Sequence, residues 1–112
     1  MLHDKIIDDL ERRLEKYCEK TSREQNYVLF EELRGEYDVA GIRGPRVFVF
    51  EVKQHDNEKN RDKALMQLGK DFYYFNRYKR FGENNIKLFY AFSDEKSRRG
   101  YTVERIYTGD DR

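Results

Sequence analysis

Apolar residues recur along the chain at spacings that predict a helix, three strands, a second helix and two further strands. Over 2–20, Ile6, Ile7, Leu10, Leu14 and Tyr17 share one stripe of a helix. The stretch 21–26 is polar and breaks that pattern, and 27–33, rich in Tyr, Val, Leu and Phe, reads as the first strand. Arg34-Gly35 is a turn signal, and 36–42 alternates as a second strand with Tyr37, Val39 and Ala40 as its apolar part. Gly44-Pro45 makes a tight turn into 46–53, where Val47, Phe48, Val49 and Phe50 are all apolar. A strand apolar on both sides must be covered on both, so 46–53 is expected at the centre of a sheet. A helix capped by Asp56 or Asn57 should then run to about Arg80, with Leu65, Leu68, Phe72 and Phe75 facing the core and Gly82 ending it. Strands over 86–92 and 101–107 flank a charged loop at 94–100, and 109–112 reads as a frayed tail. The whole is an α/β or α+β sandwich, a mixed central sheet flanked by helices.

Composition narrows the class. The 112 residues are enough for a single domain over 1–112 with one core. Charged residues make up 40% of the chain, but aromatics reach 15%, which argues for a folded domain under a charged coat. No apolar run approaches the ~20 residues that span a bilayer. The opening Met1-Leu2-His3-Asp4-Lys5 lacks an apolar signal region. The lone Cys18 excludes an internal disulfide and a cysteine-based zinc site. A reducing, cytoplasmic setting is the expectation.

The net charge is +1, yet the charge is unevenly spread. Residues 1–38 carry seven basic and eleven acidic side chains, and 53–80 carry eight basic and four acidic. Positive charge therefore gathers on Lys53 and the helix after it. That surface is either an ordinary solvated face or one that meets phosphates beside an acidic pocket.

The chemistry concentrates at the end of the central strand, Phe50-Glu51-Val52-Lys53. A period of two puts Glu51 and Lys53 on the face of Val47 and Val49. Burying such charges is costly unless they are paired or hold a metal. The hairpin partner offers Asp38, with Glu36 expected on the same face, so two or three carboxylates can converge near one lysine. Without Cys or paired His, such a set suits a hard divalent ion, Mg²⁺ or Mn²⁺. A neighbouring lysine orients water or stabilises charge at a phosphorus centre. The competing reading is a structural ion pair at the strand end. The second acid-x-Lys triplet, Asp94-Glu95-Lys96, has no strand before it and reads as surface.

Residues 36–54, from Glu36-Tyr37-Asp38-Val39-Ala40-Gly41 through Phe50-Glu51-Val52-Lys53-Gln54, resemble the PD-(D/E)XK nuclease superfamily. Within it, the short chain and the hairpin are similar to archaeal Holliday-junction resolvases and small viral nucleases. Where the family usually has Pro before the Asp, this chain has Tyr37. The resemblance implies a restriction-endonuclease-like αβββαβ core. It implies that Asp38, Glu51 and the Val52 carbonyl bind Mg²⁺ or Mn²⁺ and that Lys53 is the catalytic lysine. It implies an endonuclease that hydrolyses phosphodiesters in DNA, with a branched or four-way junction as the expected substrate and a homodimer as the expected form. A virus- or plasmid-encoded source is compatible with it. The family often adds a glutamate from the first helix, for which Glu11 is the choice here, a solvated edge residue being the alternative. Gln67 is a candidate for DNA or for the site carboxylates, or else a plain surface glutamine. Lys59, Arg61, Lys63 and Lys70 on the same helix complete the expected nucleic-acid contacts. The alternative function is a catalytically inactive nucleic-acid-binding or dimeric module on the same fold.

The remaining candidates are plainer. Tyr73, Tyr74, Tyr78 and Phe81 are too many for one core face and would stack on bases or form a dimer interface. His3 and His55 are isolated in sequence, Cys18 reads as a core-edge residue, and Lys96, Arg98 and Arg99 hold DNA backbone or are simply solvated.

Overall fold

The computed structural model of the chain describes residues 1–30 and 32–108. The expected tail at 109–112 lies outside them. Helix α1 (His3–Tyr17) opens the chain and is followed by strands β1 (Lys20–Val28), β2 (Arg34–Arg43) and β3 (Arg46–Lys53). Helix α2 (Glu58–Tyr73), a π-helical turn (Tyr74–Tyr78) and a short 3₁₀ turn (Glu83–Asn85) lead to β4 (Ile86–Ser93) and β5 (Tyr101–Ile106). The result is an α/β fold whose one sheet has the order β1-β2-β3-β4-β5. All neighbouring strands are antiparallel except β3 and β4, which run parallel because α2 carries the chain back between them. No helix is long and apolar enough to cross a membrane among the described residues.

The two helices cover opposite faces, which is why β3 is apolar on both. Ile6, Ile7, Leu10 and Leu14 of α1 pack with Val39, Phe50, Val52 and Ala91. Ala64 and Leu68 of α2 pack with Ala40, Val47, Val49 and Leu88 on the other face. At the end of the α1 stripe Tyr17 is exposed, because the helix stops there. Its ring meets Phe48 edge-on at 5.7 Å, and the Arg43 guanidinium lies 4.0 Å above it.

Two elements differ from the sequence expectation. The first strand is Lys20–Val28, not 27–33. It is an edge strand with a single partner, and Tyr27 is its one buried residue, so backbone pairing rather than an apolar pattern selects it. In α2, Asn57, one of the two cap candidates, supplies the N-cap by accepting from the Asn60 N–H at 2.8 Å, but the buried stripe is Ala64, Leu68, Asp71 and Phe75. Leu65, expected inside, is 39% exposed, and an aspartate occupies a core position instead. The helix does not continue regularly to Arg80. A π-helical turn follows Tyr73, and Arg80 at φ +59° reverses the chain two residues before Gly82.

This register predicts a sharp contrast. Leu68→Ala is expected to cost about 2–5 kcal/mol of stability. Leu65→Ala is expected to stay within about 0.5 kcal/mol. Urea unfolding of both variants measures the difference.

Candidate active site

Val47, Val49, Glu51 and Lys53 face α2, as a period of two requires. Glu51 is 4% exposed and Lys53 is half-buried at the strand end. Pairing between β2 and β3 runs from Arg43↔Arg46 to Val39↔Phe50 and stops there. The next pair would be Asp38 with Glu51. Where the ladder ends, the Asp38 carboxylate takes over as acceptor: its Oδ2 receives the Val52 N–H at 2.7 Å.

The break is built into both strands. Tyr37 and Ala40 both pack on the α2 side, while Val39 between them packs on the α1 side, so the alternation of β2 slips by one position at Asp38. Opposite this point, between the pairs Arg23↔Val39 and Gln25↔Tyr37, Glu24 has φ +51°. The shared irregularity sets Asp38 at the seam where β2 leaves β3. Glu36, expected to share the face of Asp38, is exposed, and it is its backbone carbonyl that is used, accepting from the Gln67 side-chain amide.

The third carboxylate comes from α2, and it is Asp71, 0% exposed. Its Oδ1 accepts from the Tyr27 hydroxyl and from Gln67 Nε2, the latter at 3.0 Å. Gln67 thus spends its amide nitrogen on Asp71, Tyr27 and the Glu36 carbonyl rather than on solvent. Sequence reading passed over Asp71. The available signal was its position three residues after Leu68 and four before Phe75, on the stripe that α2 buries.

Burial, a proton shared with Asp38, and the charges of Asp38 and Asp71 push Glu51 up to about 11, against a pull from Lys53. Burial also raises Asp71 to about 7, although the bonds from Tyr27 and Gln67 favour its charged form. Glu51 Oε2 and Asp71 Oδ2 are both buried with no hydrogen-bond partner. Two buried, unpartnered carboxylate oxygens whose residues feel each other's charge and that of Asp38 fit a cation better than they fit an ion pair. No three His, Cys, Asp or Glu side chains are already drawn together as a ligand set among the described residues. The fit is to an ion such as Mg²⁺, which takes one or two carboxylates and keeps its waters.

The other sequence candidates are scattered. Glu11 is paired with Arg23 of β1 at 3.3 Å and has no contact with Asp38 or Glu51 among the described interactions. The α1 residue that does reach the site is His3, whose Nε2 lies 3.7 Å from Asp38 Oδ2. Nothing in its sequence surroundings marks it, because the contact depends on how α1 crosses the sheet. On α2, Arg61 is clamped by Glu104 of β5 at 2.8 and 3.1 Å and by Asp56 at 3.2 Å. Lys70 donates to the Arg34 carbonyl at 3.3 Å. Lys59 and Lys63 remain exposed. His55 is exposed beyond the strand end, and Cys18 packs against Gly41 and the α1 cluster as a core-edge residue.

No family model, no curated protein and no solved structure matches this chain.

The carboxyl pair makes stability pH-dependent in a defined direction. A carboxyl whose folded pKa is raised binds more protons folded than unfolded between its ordinary value and the raised one, so stability falls as pH rises through that window. Glu51 and Asp71 both titrate upward, from 4.5 to about 11 and from 3.8 to about 7. Asp9 opposes them only in acid: burial would raise it, but hydrogen bonds from Arg13, Tyr101 and Arg12 outweigh that and hold it far below the usual range. In chelator, the protein is expected to melt several degrees lower at pH 8 than at pH 5. Glu51→Gln should remove most of that loss, and calorimetry across the pH series reads both.

Proposed function

We propose that the chain is a divalent-metal-dependent nuclease that hydrolyses phosphodiester bonds in DNA, with Asp38, Glu51 and Lys53 as its working residues. The observation that carries this reading is the pair of buried, unpartnered oxygens on Glu51 and Asp71 beside Asp38. A buried carboxyl set of this kind, opened at one end by a lysine, is costly to maintain without a cation to neutralise it. The element order α1-β1-β2-β3-α2-β4, with the acids on the β2–β3 hairpin, supports the restriction-endonuclease-like αβββαβ assignment, β5 being appended at the sheet edge.

Asp38 and Glu51, with the Val52 carbonyl, would hold Mg²⁺ or Mn²⁺. When bound, the ion supplies charge stabilisation at the phosphate and a more acidic water. The chain's own residues set the stage for it. The Val52 N–H fixes one oxygen of Asp38 at the seam. Tyr27 and Gln67 fix Asp71 behind Glu51 and keep it from turning outward. Lys53 leaves the strand on the side of Glu51 and brings a cation to the phosphate or to an attacking water. His3 of α1 stands beside Asp38, its Nε2 3.7 Å from Oδ2, where it can help orient that carboxylate. Exposed Lys59 and Lys63 offer phosphate contacts along α2. A branched substrate and a dimer follow from the family resemblance and belong to the proposal.

The test is cleavage of labelled single-stranded, duplex, flap and four-way-junction DNA with Mg²⁺, Mn²⁺ or chelator. Asp38→Asn, Glu51→Gln and Lys53→Ala are each expected to slow cleavage by roughly 10²-fold or more. Their melting curves should still show a folded protein. Full activity in all three variants would remove the site. Salt-dependent DNA binding with no cleavage under any metal would make the chain a binding module.

A further inference from the structure

Large apolar side chains in solvent gather at one end of the molecule. Val28, Phe30 and Leu33 stand at the β1–β2 hairpin, and Met66, Tyr73 and Tyr78 on α2 and the π-helical turn. All six are exposed, Phe30 at 56% and Tyr78 at 45%. The Phe30 ring meets Tyr73 edge-on at 5.7 Å, and the Tyr73 ring lies 6.3 Å from Tyr78. Leu33 closes back on Phe30 by donating its backbone N–H to the Phe30 carbonyl. Met66 extends the patch two turns before Tyr73, on the same flank of α2. Of the aromatics in excess of one core face, Tyr74 and Phe81 pack inward, whereas Tyr73 and Tyr78 stay outside. Single exposed apolar residues are ordinary, but a contiguous patch marks an interface.

The two halves of the patch differ in charge. The hairpin segment 28–36 holds three glutamates and one arginine, and Glu32 and Glu36 are exposed. The segment 70–80 holds four basic residues and one acid, and that acid, Asp71, is buried. Arg77, Lys79 and Arg80 are exposed. The Phe30–Tyr73 contact is the seam between the acidic half and the basic half. A nucleic-acid strand or an anionic membrane would suit the basic half and be repelled by the glutamates. A cationic partner would meet the reverse. The same surface turned about a two-fold axis through the seam matches both signs. The hairpin of each copy then lies on the helix end of the other, acids against bases and aromatic against aromatic.

We propose that this patch is the face through which two copies of the chain pair, as a two-fold dimer centred on Phe30, Tyr73 and Tyr78. A dimer enters the nuclease reading only through the family resemblance. The face is read from the patch alone and uses none of Asp38, Glu51, Lys53 and Asp71.

Sedimentation velocity of the full chain over a range of micromolar concentrations tests it, with melting curves to show that each variant is folded. The wild type is expected as a two-chain particle. Phe30→Glu puts a charge at the centre of the patch and is expected to weaken pairing by roughly 10- to 100-fold. Glu32→Lys and Arg77→Glu reverse the sign of the two halves in turn. Each is expected to weaken pairing by about 5-fold or more, and the double variant to regain most of that loss, because opposite signs again meet across the axis. Both side chains are exposed, so this swap carries the test should Phe30→Glu melt early. A wild type that stays a single chain throughout overturns the proposal, as does unchanged pairing in a folded Phe30→Glu. A double variant that pairs no better than the weaker single one overturns the two-fold arrangement. A single-chain protein whose oligonucleotide binding falls in Phe30→Glu gives the patch to nucleic acid and also overturns it. Pairing with no cleavage under any metal sinks the nuclease reading and leaves the face standing, and cleavage without pairing does the reverse.

Discussion

A carboxyl taken out of water must find a proton, a donor or a cation, and at Glu51 one buried oxygen has no hydrogen-bond partner while burial and the neighbouring acids favour the protonated form. Much of the local architecture follows from that constraint. The β2–β3 ladder ends where Glu51 would face Asp38, so that Asp38 turns its carboxylate onto the Val52 N–H instead of continuing the sheet. Asp71 is brought into the same region on the buried stripe of α2, with Tyr27 and Gln67 donating to one oxygen and leaving the other bare. Evenly apolar side chains at these three positions would pack at no electrostatic cost.

The surroundings divide the remaining charge by task. The Asp9 carboxylate, although buried, is met by Arg12, Arg13 and Tyr101 and is fully satisfied, so it ties α1 to β5. Arg61 does the same between α2 and β5 through Glu104, with the Tyr90 ring 5.0 Å beneath its guanidinium. These are closed networks. The contrast is with Glu51 and Asp71, each of which keeps one buried oxygen without a hydrogen-bond partner.

Much of this was readable from residue order. The central strand, the α1 stripe, the Gly44 turn and the Asn57 cap each follow from a single local rule, and the Glu51–Lys53 placement needs only a period of two. The failures share a cause: information carried by a partner element. β1 is polar because one neighbour's backbone is enough to hold it. Leu65 and Asp71 change places, relative to simple hydrophobic choice, because the sheet face under α2 is shaped by Tyr27 and Ala40. His3 rather than Glu11 reaches Asp38, because the first turn of α1 and not its third comes over that residue. Glu36 drops out because alternation along β2 slips at one residue, an event without a sequence signature of its own.

The hairpin that carries Asp38 and Glu51 has a further meaning for how the chain is put together. Those two acids stand thirteen positions apart and are joined through a turn at Gly44 and Pro45, whereas Asp71 reaches them only once the crossover helix has docked. Short closures cost little entropy compared with long ones. Two of the three acids thus come as a compact cassette, and the third joins them through the longer closure that seats α2 on the sheet. Changes to the connection between β3 and α2 therefore act on Asp71 from afar, through the seating of the helix, without touching either acid of the hairpin.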